Sequence, residues 1–367
     1  MTLNVTLEKR QQGLSIVELM IALLLGSLLV GGLVQILTSN SQAFRMAEAT
    51  ARTQEFGRIA SEMISREARG AGYFGCNSDQ MVNNLDVDPD DDDYNWDPGV
   101  GISSENSLRP AAAISGTDFI FFSGLDGGGL EISASSPPTS ASTKVRSRGG
   151  ANPNSFLSDG DVIAIADCQG VDIVQITNIS GGGDDSEVTL VTNSGSGESP
   201  GNDFTNNTCS NTGNGGAGNN CLSNDYGIGA QIFKPYDRTY YIGTSATTGE
   251  PALMMLELSN GALQAHEMVE GVVDMQVRYG LSVDKFQAVD RWEDATAMAA
   301  SDWEQIRAVR VSLLVRGGSD NVFEDPASLC YPAWTDCTSG NNYTAPEGDS
   351  HMYRAYEFTT NVRNKSN

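Results

Sequence analysis

Glu18 is the only charged residue between Leu14 and Leu37, in the run LSIVELMIALLLGSLLVGGLVQIL. A carboxylate inside such a run costs about 2.5–3.5 kcal/mol at mid-membrane, so it calls for a cationic partner. Cleavage between Gly13 and Leu14 would create one. The new amine on Leu14 would stand four residues before Glu18, and in a bundle the amine of one subunit would neutralise Glu18 of its neighbour. Gly13 and Leu14 are therefore the candidate processing site, and Glu18 the candidate assembly residue.

Other residue types with chemical potential are sparse. The six cysteines (Cys76, Cys168, Cys209, Cys221, Cys330 and Cys337) contain no C-x-x-C pair and no zinc spacing. Outside the cytoplasm disulfides become their default state. Fifteen full pairings are open to six cysteines. Short separation favours Cys209–Cys221 and Cys330–Cys337, which leaves Cys76–Cys168. Asp88, Asp90 and Asp92 alternate in DVDPDDDDYNWDPG and offer three oxygen ligands to a hard cation, so calcium is the candidate metal. That stretch lacks the glycine and closing glutamate of an EF-hand, and a solvated acidic loop is the simpler reading. His266 and His351 are the only histidines and read as exposed polar residues. The glycine clusters GLDGGG (124–129) and ISGGGDD (179–185) lack the Lys-Ser/Thr of a phosphate loop and read as flexible turns. No catalytic constellation is visible, which argues against an enzyme. With 22 Lys+Arg against 47 Asp+Glu and a formal net charge of -25, the chain has no basic tract for nucleic acid.

These residues need elements to position them. The apolar run 14–37 would span about 36 Å, enough for a bilayer core. The 13 residues before it include Lys9 and Arg10 and form a leader that stays cytoplasmic by the positive-inside rule. Beyond Leu37, Phe56, Ile59, Ala60, Met63, Ile64 and Glu67 fall at helical spacing. One helix over 14–70, membrane-spanning over 14–37, is predicted. Its second half lies under a globular head. An acidic loop region (71–116) follows, and then a β-rich head over 117–367. Strands are predicted at 119–122, 162–166, 172–179, 188–191, 231–233, 239–242, 253–258, 262–268, 272–279, 309–315 and 353–362. Asn260–Gly261 is a hairpin turn. A short helix is predicted at 293–303, and the Gly/Ser/Asn-rich stretches 124–155, 180–186 and 193–224 are expected to hold little core. The fold class is α+β: a long N-terminal helix packed on an antiparallel β-sheet head with large loops.

The stretch QQGLSIVELMIALLLG resembles the class III signal of type IV prepilins and pseudopilins. Gly13 and Glu18 stand where that family has its cleavage glycine and its fifth mature residue, while Leu14 replaces the usual Phe. The segments RGAGYFGC (69–76), IADCQG (165–170), VEGVVDMQVRYG (269–280), IRAVRVSLLVRGG (306–318) and YRAYEFTTNVRNK (353–365) resemble PilW-type minor pilins. The resemblance implies cleavage and methylation by a prepilin peptidase, and a single-pass inner-membrane protein with a periplasmic head. It also implies incorporation at the pilus tip, and partners among other minor pilins, a tip adhesin and the assembly platform. A J-type minor pseudopilin of type II secretion is the alternative within the superfamily. A membrane-tethered adhesin is the alternative outside it.

Overall fold

The structure is a computed structural model that describes residues 15–76, 78–87, 96, 100–135, 137–181, 186–194, 199–205, 207, 221–259, 262–283, 288–318 and 322–365. It begins with one helix, α1 (Ile16–Gly70), of 55 residues, about 82 Å at 1.5 Å per residue. The sequence sustains it because no proline occurs before Pro89. Its start is a capping box. The Ser15 side chain accepts from the Val17 N–H at 3.3 Å, and the Ser15 N–H donates to Glu18 Oε2 at 3.0 Å. At its other end Asn364 Nδ2 donates to the Gly70 and Ala71 carbonyls at 2.9 and 3.2 Å, which satisfies helix-end acceptors from the far terminus of the chain.

Seventeen strands follow among the described residues. They are β1 (Met81–Asn83), β2 (Ile102–Ser103), β3 (Phe119–Ala134), β4 (Ser142–Ser147), β5 (Val162–Ala166), β6 (Val171–Gln175), β7 (Asn178–Gly181), β8 (Glu187–Val191), β9 (Gln231–Thr244), β10 (Pro251–Ser259), β11 (Ala262–Glu270), β12 (Val272–Leu281), β13 (Arg291–Asp294), β14 (Ile306–Arg316), β15 (Ser328–Leu329), β16 (Tyr343–Thr344) and β17 (Tyr353–Asn361). The large sheet runs β1-β6-β5-β9-β3-β4-β8-β7, with β2 on β3 and the β10–β11 hairpin attached to β9. Every pairing is antiparallel except β1 with β6. A second sheet runs β13-β12-β14-β17.

Two sheets and one helix meet in the first core. Ala60, Ile64 and Ala68 of α1 join Ile120 and Phe122 of β3, Tyr240 and Ile242 of β9, Leu253 of β10, and the inward residues of β12 and β14. A distal part of the head has cores of its own. One gathers Leu130, Ile132, Val145, Ile163, Val174, Leu190 and Phe204, and another gathers Phe74, Trp96, Ala164, Val171 and Phe233. Asp172 is fully buried between them and the segment 221–226. It accepts from Asn84 Nδ2, Ser223 Oγ and Tyr226 OH, each at 2.7 Å. Burial pushes its carboxyl above the ordinary range despite these donors.

Several expectations are corrected. GLDGGG is not a free turn but the middle of β3, where a bulge lies between Gly127 and Leu130. A Cβ at Gly124 would lie 3.0 Å from the Tyr236 hydroxyl and one at Gly127 3.1 Å from the Phe233 ring, both tighter than ordinary contact. Stretch 124–155 holds strand and core, since Leu130, Ile132 and Val145 are buried in it. The predicted strands 231–233 and 239–242 are one strand, β9, while 172–179 is two, β6 and β7. Segment 293–303 is the end of β13 and two 3-10 turns rather than an α-helix. The acidic region between helix and head contributes β1 and β2 to the large sheet. The Asn260–Gly261 turn lies outside the described residues, but β10 and β11 pair up to Ser259 opposite Ala262.

Candidate assembly interface

The first half of α1 is a bare apolar rod. Ile16 to Leu37 is long and apolar enough to cross a membrane, and none of its hydrophobic window is buried. Ile16, Leu29 and Leu37 are 78, 75 and 60% exposed, and so is Phe44 further on at 70%. The first buried residue is Ala49. Glu18 is at the tip of this rod, and its Oε2 is engaged by the Ser15 N–H of its own chain. That contact supplies the carboxylate with a local role at the helix start. Leu14 and Gly13 lie outside the described residues, as do Asp88, Asp90, Asp92 and Cys209.

The second half of α1 is the seat of the head. Its buried residues are Ala49, Thr53, Gly57, Ala60, Ile64 and Ala68. They advance by four, four, three, four and four positions, so they form a continuous stripe. Of the predicted stripe, Ala60 and Ile64 lie in it, while Phe56, Ile59 and Met63 form its half-buried flank. Small residues hold the centre because strands come close there. A Cβ on Gly57 would sit 2.5 Å from the Tyr356 ring of β17, and one on Gly317 would sit 3.1 Å from Ala49 Cβ. Beside the stripe, Glu67 meets Arg238 of β9 at 3.3 Å, and Arg238 reaches Glu257 of β10 at 3.3 Å. The Arg238 guanidinium also lies 4.7 Å from the Tyr236 ring centroid. Together these contacts fix the angle between rod and head. Sequence reasoning missed Gly57, Tyr356 and Arg238. The only signal was the helical spacing of small residues, which a search for large apolar side chains passes over.

The remaining site candidates fall elsewhere. Cys76–Cys168 bonds the segment after α1 to the β5–β6 turn, and Cys330–Cys337 closes a small loop. Cys221 is disulfide-bonded as well. His266 faces Glu257 at 3.5 Å, and His351 faces Asp349 at 2.8 Å. His351 is half-buried in a polar cluster with Asp349, Tyr353 and Arg316 rather than exposed. Burial works to raise the Asp349 carboxyl, yet donors from Tyr353 and His351 hold it below the ordinary range. Near the β12 edge, burial and neighbouring Asp118 push Asp274 up to about 6 against the Gln276 and Met275 donors. Among the described residues no group of three or more His, Cys, Asp or Glu is placed to hold a metal ion.

Comparison with known families addresses both ends of this arrangement. Residues 9–34, the leader end and most of the bare rod, match the prokaryotic N-terminal methylation motif. Residues 239–364 match the family described as type IV pilus-assembly protein W. That match runs from the second half of β9 through β17, so it covers β11, β14 and β17 on α1 and leaves out β1 to β8, including β3. The two matches support a type IV pilin-like protein. Within that class they support a PilW-type minor pilin. A type IV-like pilin from Thermus thermophilus is similar at 17% identity, over 36% of this chain and 70% of that one, with a TM-score of 0.22. No curated protein sequence matches the chain.

Proposed function

We propose that the chain is a structural subunit of the initiation and tip complex of a type IV pilus. It helps assembly start and supports display of a tip adhesin. The observation that carries this reading is the bare rod. Among the described residues nothing covers its apolar surface, and its single carboxylate is at the end. Such a surface needs lipid before assembly and other helices afterwards. A prepilin peptidase cuts between Gly13 and Leu14 on the cytoplasmic side, and the head stays periplasmic. In the pilus the Leu14 amine of one subunit pairs with Glu18 of the next, which competes with the Ser15 contact at the helix start. The partners are other minor pilins, the tip adhesin and the assembly platform.

The test is Glu18→Ala at native expression in a strain lacking the chain. The variant should reach the membrane and yield an N-terminal peptide starting at Leu14, yet leave piliation unrestored. Wild-type piliation by this variant would end the pairing idea. An intact Met1 in membrane protein would end the processing idea separately.

A further inference from the structure

The hairpin β10–β11 is apolar on both faces. Leu253 and Met255 enter the core shared with α1. Leu256 and Leu258, one residue out of phase, face the other way with Leu263 into a cleft of about 670 Å³. A half-buried hairpin normally alternates apolar with polar residues, so this second apolar face is out of pattern. Leu263 is 57% exposed. The cleft has the size of a ligand pocket, and its far wall is the 100–111 segment.

Two further features say what would fill it. Glu105 and Glu304 also line the cleft; both are exposed, and neither is in an ion pair among the described residues. Arg109 is the one cation among the lining residues. It is turned onto the Ile114 and Thr117 carbonyls at 2.9 and 3.0 Å, and its guanidinium lies 5.6 Å from the Phe119 ring centroid.

We infer that this cleft is a docking groove for a short basic, leucine-bearing segment of another protein. Apolar side chains of that segment cover Leu256, Leu258 and Leu263. Lys or Arg residues of that segment meet Glu105 and Glu304. Charge complementarity selects this occupant. An acidic peptide or an anionic lipid surface would be repelled by the rim and by a chain of net charge -25. The groove belongs to the head alone, so it stands or falls separately from the pairing of Glu18.

The experiment uses the full chain in phosphatidylcholine nanodiscs, with empty discs as control. The probe is a short acetylated, fluorescein-labelled peptide of alternating leucine and lysine, followed by anisotropy. Two twins carry glutamate for lysine or serine for leucine. The leucine–lysine peptide should saturate at one per chain, and each twin should bind at least about tenfold more weakly. Glu105→Lys with Glu304→Lys should weaken it at least about tenfold, with the thermal midpoint of the chain unchanged. The same charge change made on the helix, Glu55→Lys with Glu62→Lys, should not. Leu263→Ser tests the floor and should weaken binding without unfolding an already exposed position. Absence of saturable binding overturns the proposal. So does equal loss from the two charge reversals, or a serine twin that binds as tightly as the leucine peptide.

Discussion

Replacing Gly57 by Ala sets two effects of known sign against each other. In an exposed helix the change would stabilise α1 by about 1 kcal/mol. At this position the new Cβ would lie 2.5 Å from Cδ2 and Cε2 of Tyr356 and 2.7 Å from its Cγ. Carbon atoms rest at about 3.5–4.0 Å, so ring and helix must separate by about 1 Å. The ring has little room to yield, since it is half-buried and the Arg354 guanidinium lies 5.6 Å from its centroid. Overpacking of this kind costs about 1–3 kcal/mol. The net expectation for Gly57→Ala is a loss of up to about 2 kcal/mol. Tyr356→Ala removes the clash, so adding it to Gly57→Ala should cost less than the sum of the two single changes, with a coupling of at least about 1 kcal/mol. Urea unfolding followed by tryptophan fluorescence reads the wild type and the three variants, because Trp303 is buried in the core that α1 shares. If Gly57→Ala raises the midpoint and the two changes simply add, the helix is not held close at this point and the account of the stripe is wrong.

Three further outcomes concern Asp274, Asp172 and the Cys76–Cys168 bond. Asp274 titrates at about 6 in the folded chain, above its unfolded value near 3.9. The folded state therefore holds more protons between those values, and stability falls as pH rises from about 4 to about 6 and is level above. Asp274→Asn should raise the urea midpoint at pH 7 by the equivalent of about 1–3 kcal/mol and flatten that slope; identical pH profiles would refute it. Asp172→Ala strands three side-chain donors in the interior. It should cost about 2–4 kcal/mol and speed hydrogen exchange at the Ser223 amide, whereas unchanged exchange would place the anchor of 221–226 elsewhere. Removing the Cys76–Cys168 bond by serine at both positions opens a sequence separation of 92 residues, a loss of about 4–5 kcal/mol on the chain-entropy model. An unaltered midpoint would show that the other contacts of the distal part suffice.

Much of this architecture could be read before any coordinates, and the failures share a cause. The helix was legible from an apolar run, the helical spacing beyond it and the lack of proline. The strands β10 to β12, β14 and β17 were legible as apolar and β-branched runs bounded by turn residues. What stayed hidden depends on partners far along the chain. Gly57 shows its purpose only once Tyr356, some 300 residues away, lies on it. The glycines of 124–129 look like a turn until the rings of Tyr236 and Phe233 are seen over them. Arg238 looks like any strand arginine until Glu67 and Glu257 converge on it. Leu256 and Leu258 read as ordinary strand residues, and only the cleft reveals that the hairpin has a second apolar face.

The gap between Leu37 and Ala49 sets how the head meets the electric field of a membrane. With residues 16–37 in hydrocarbon, the helix runs on for 38–48 before the head takes hold of it. That is about 16 Å of helix, roughly twice the Debye length in physiological salt. A chain with 47 acidic side chains held directly against anionic lipid would be pushed away from the surface. At this separation the repulsion is largely screened, so the acidity of the head would not strain a membrane anchor. Shortening 38–48 by three turns would remove the spacing while leaving the apolar run and the small-residue stripe intact, and anchoring would then become sensitive to salt.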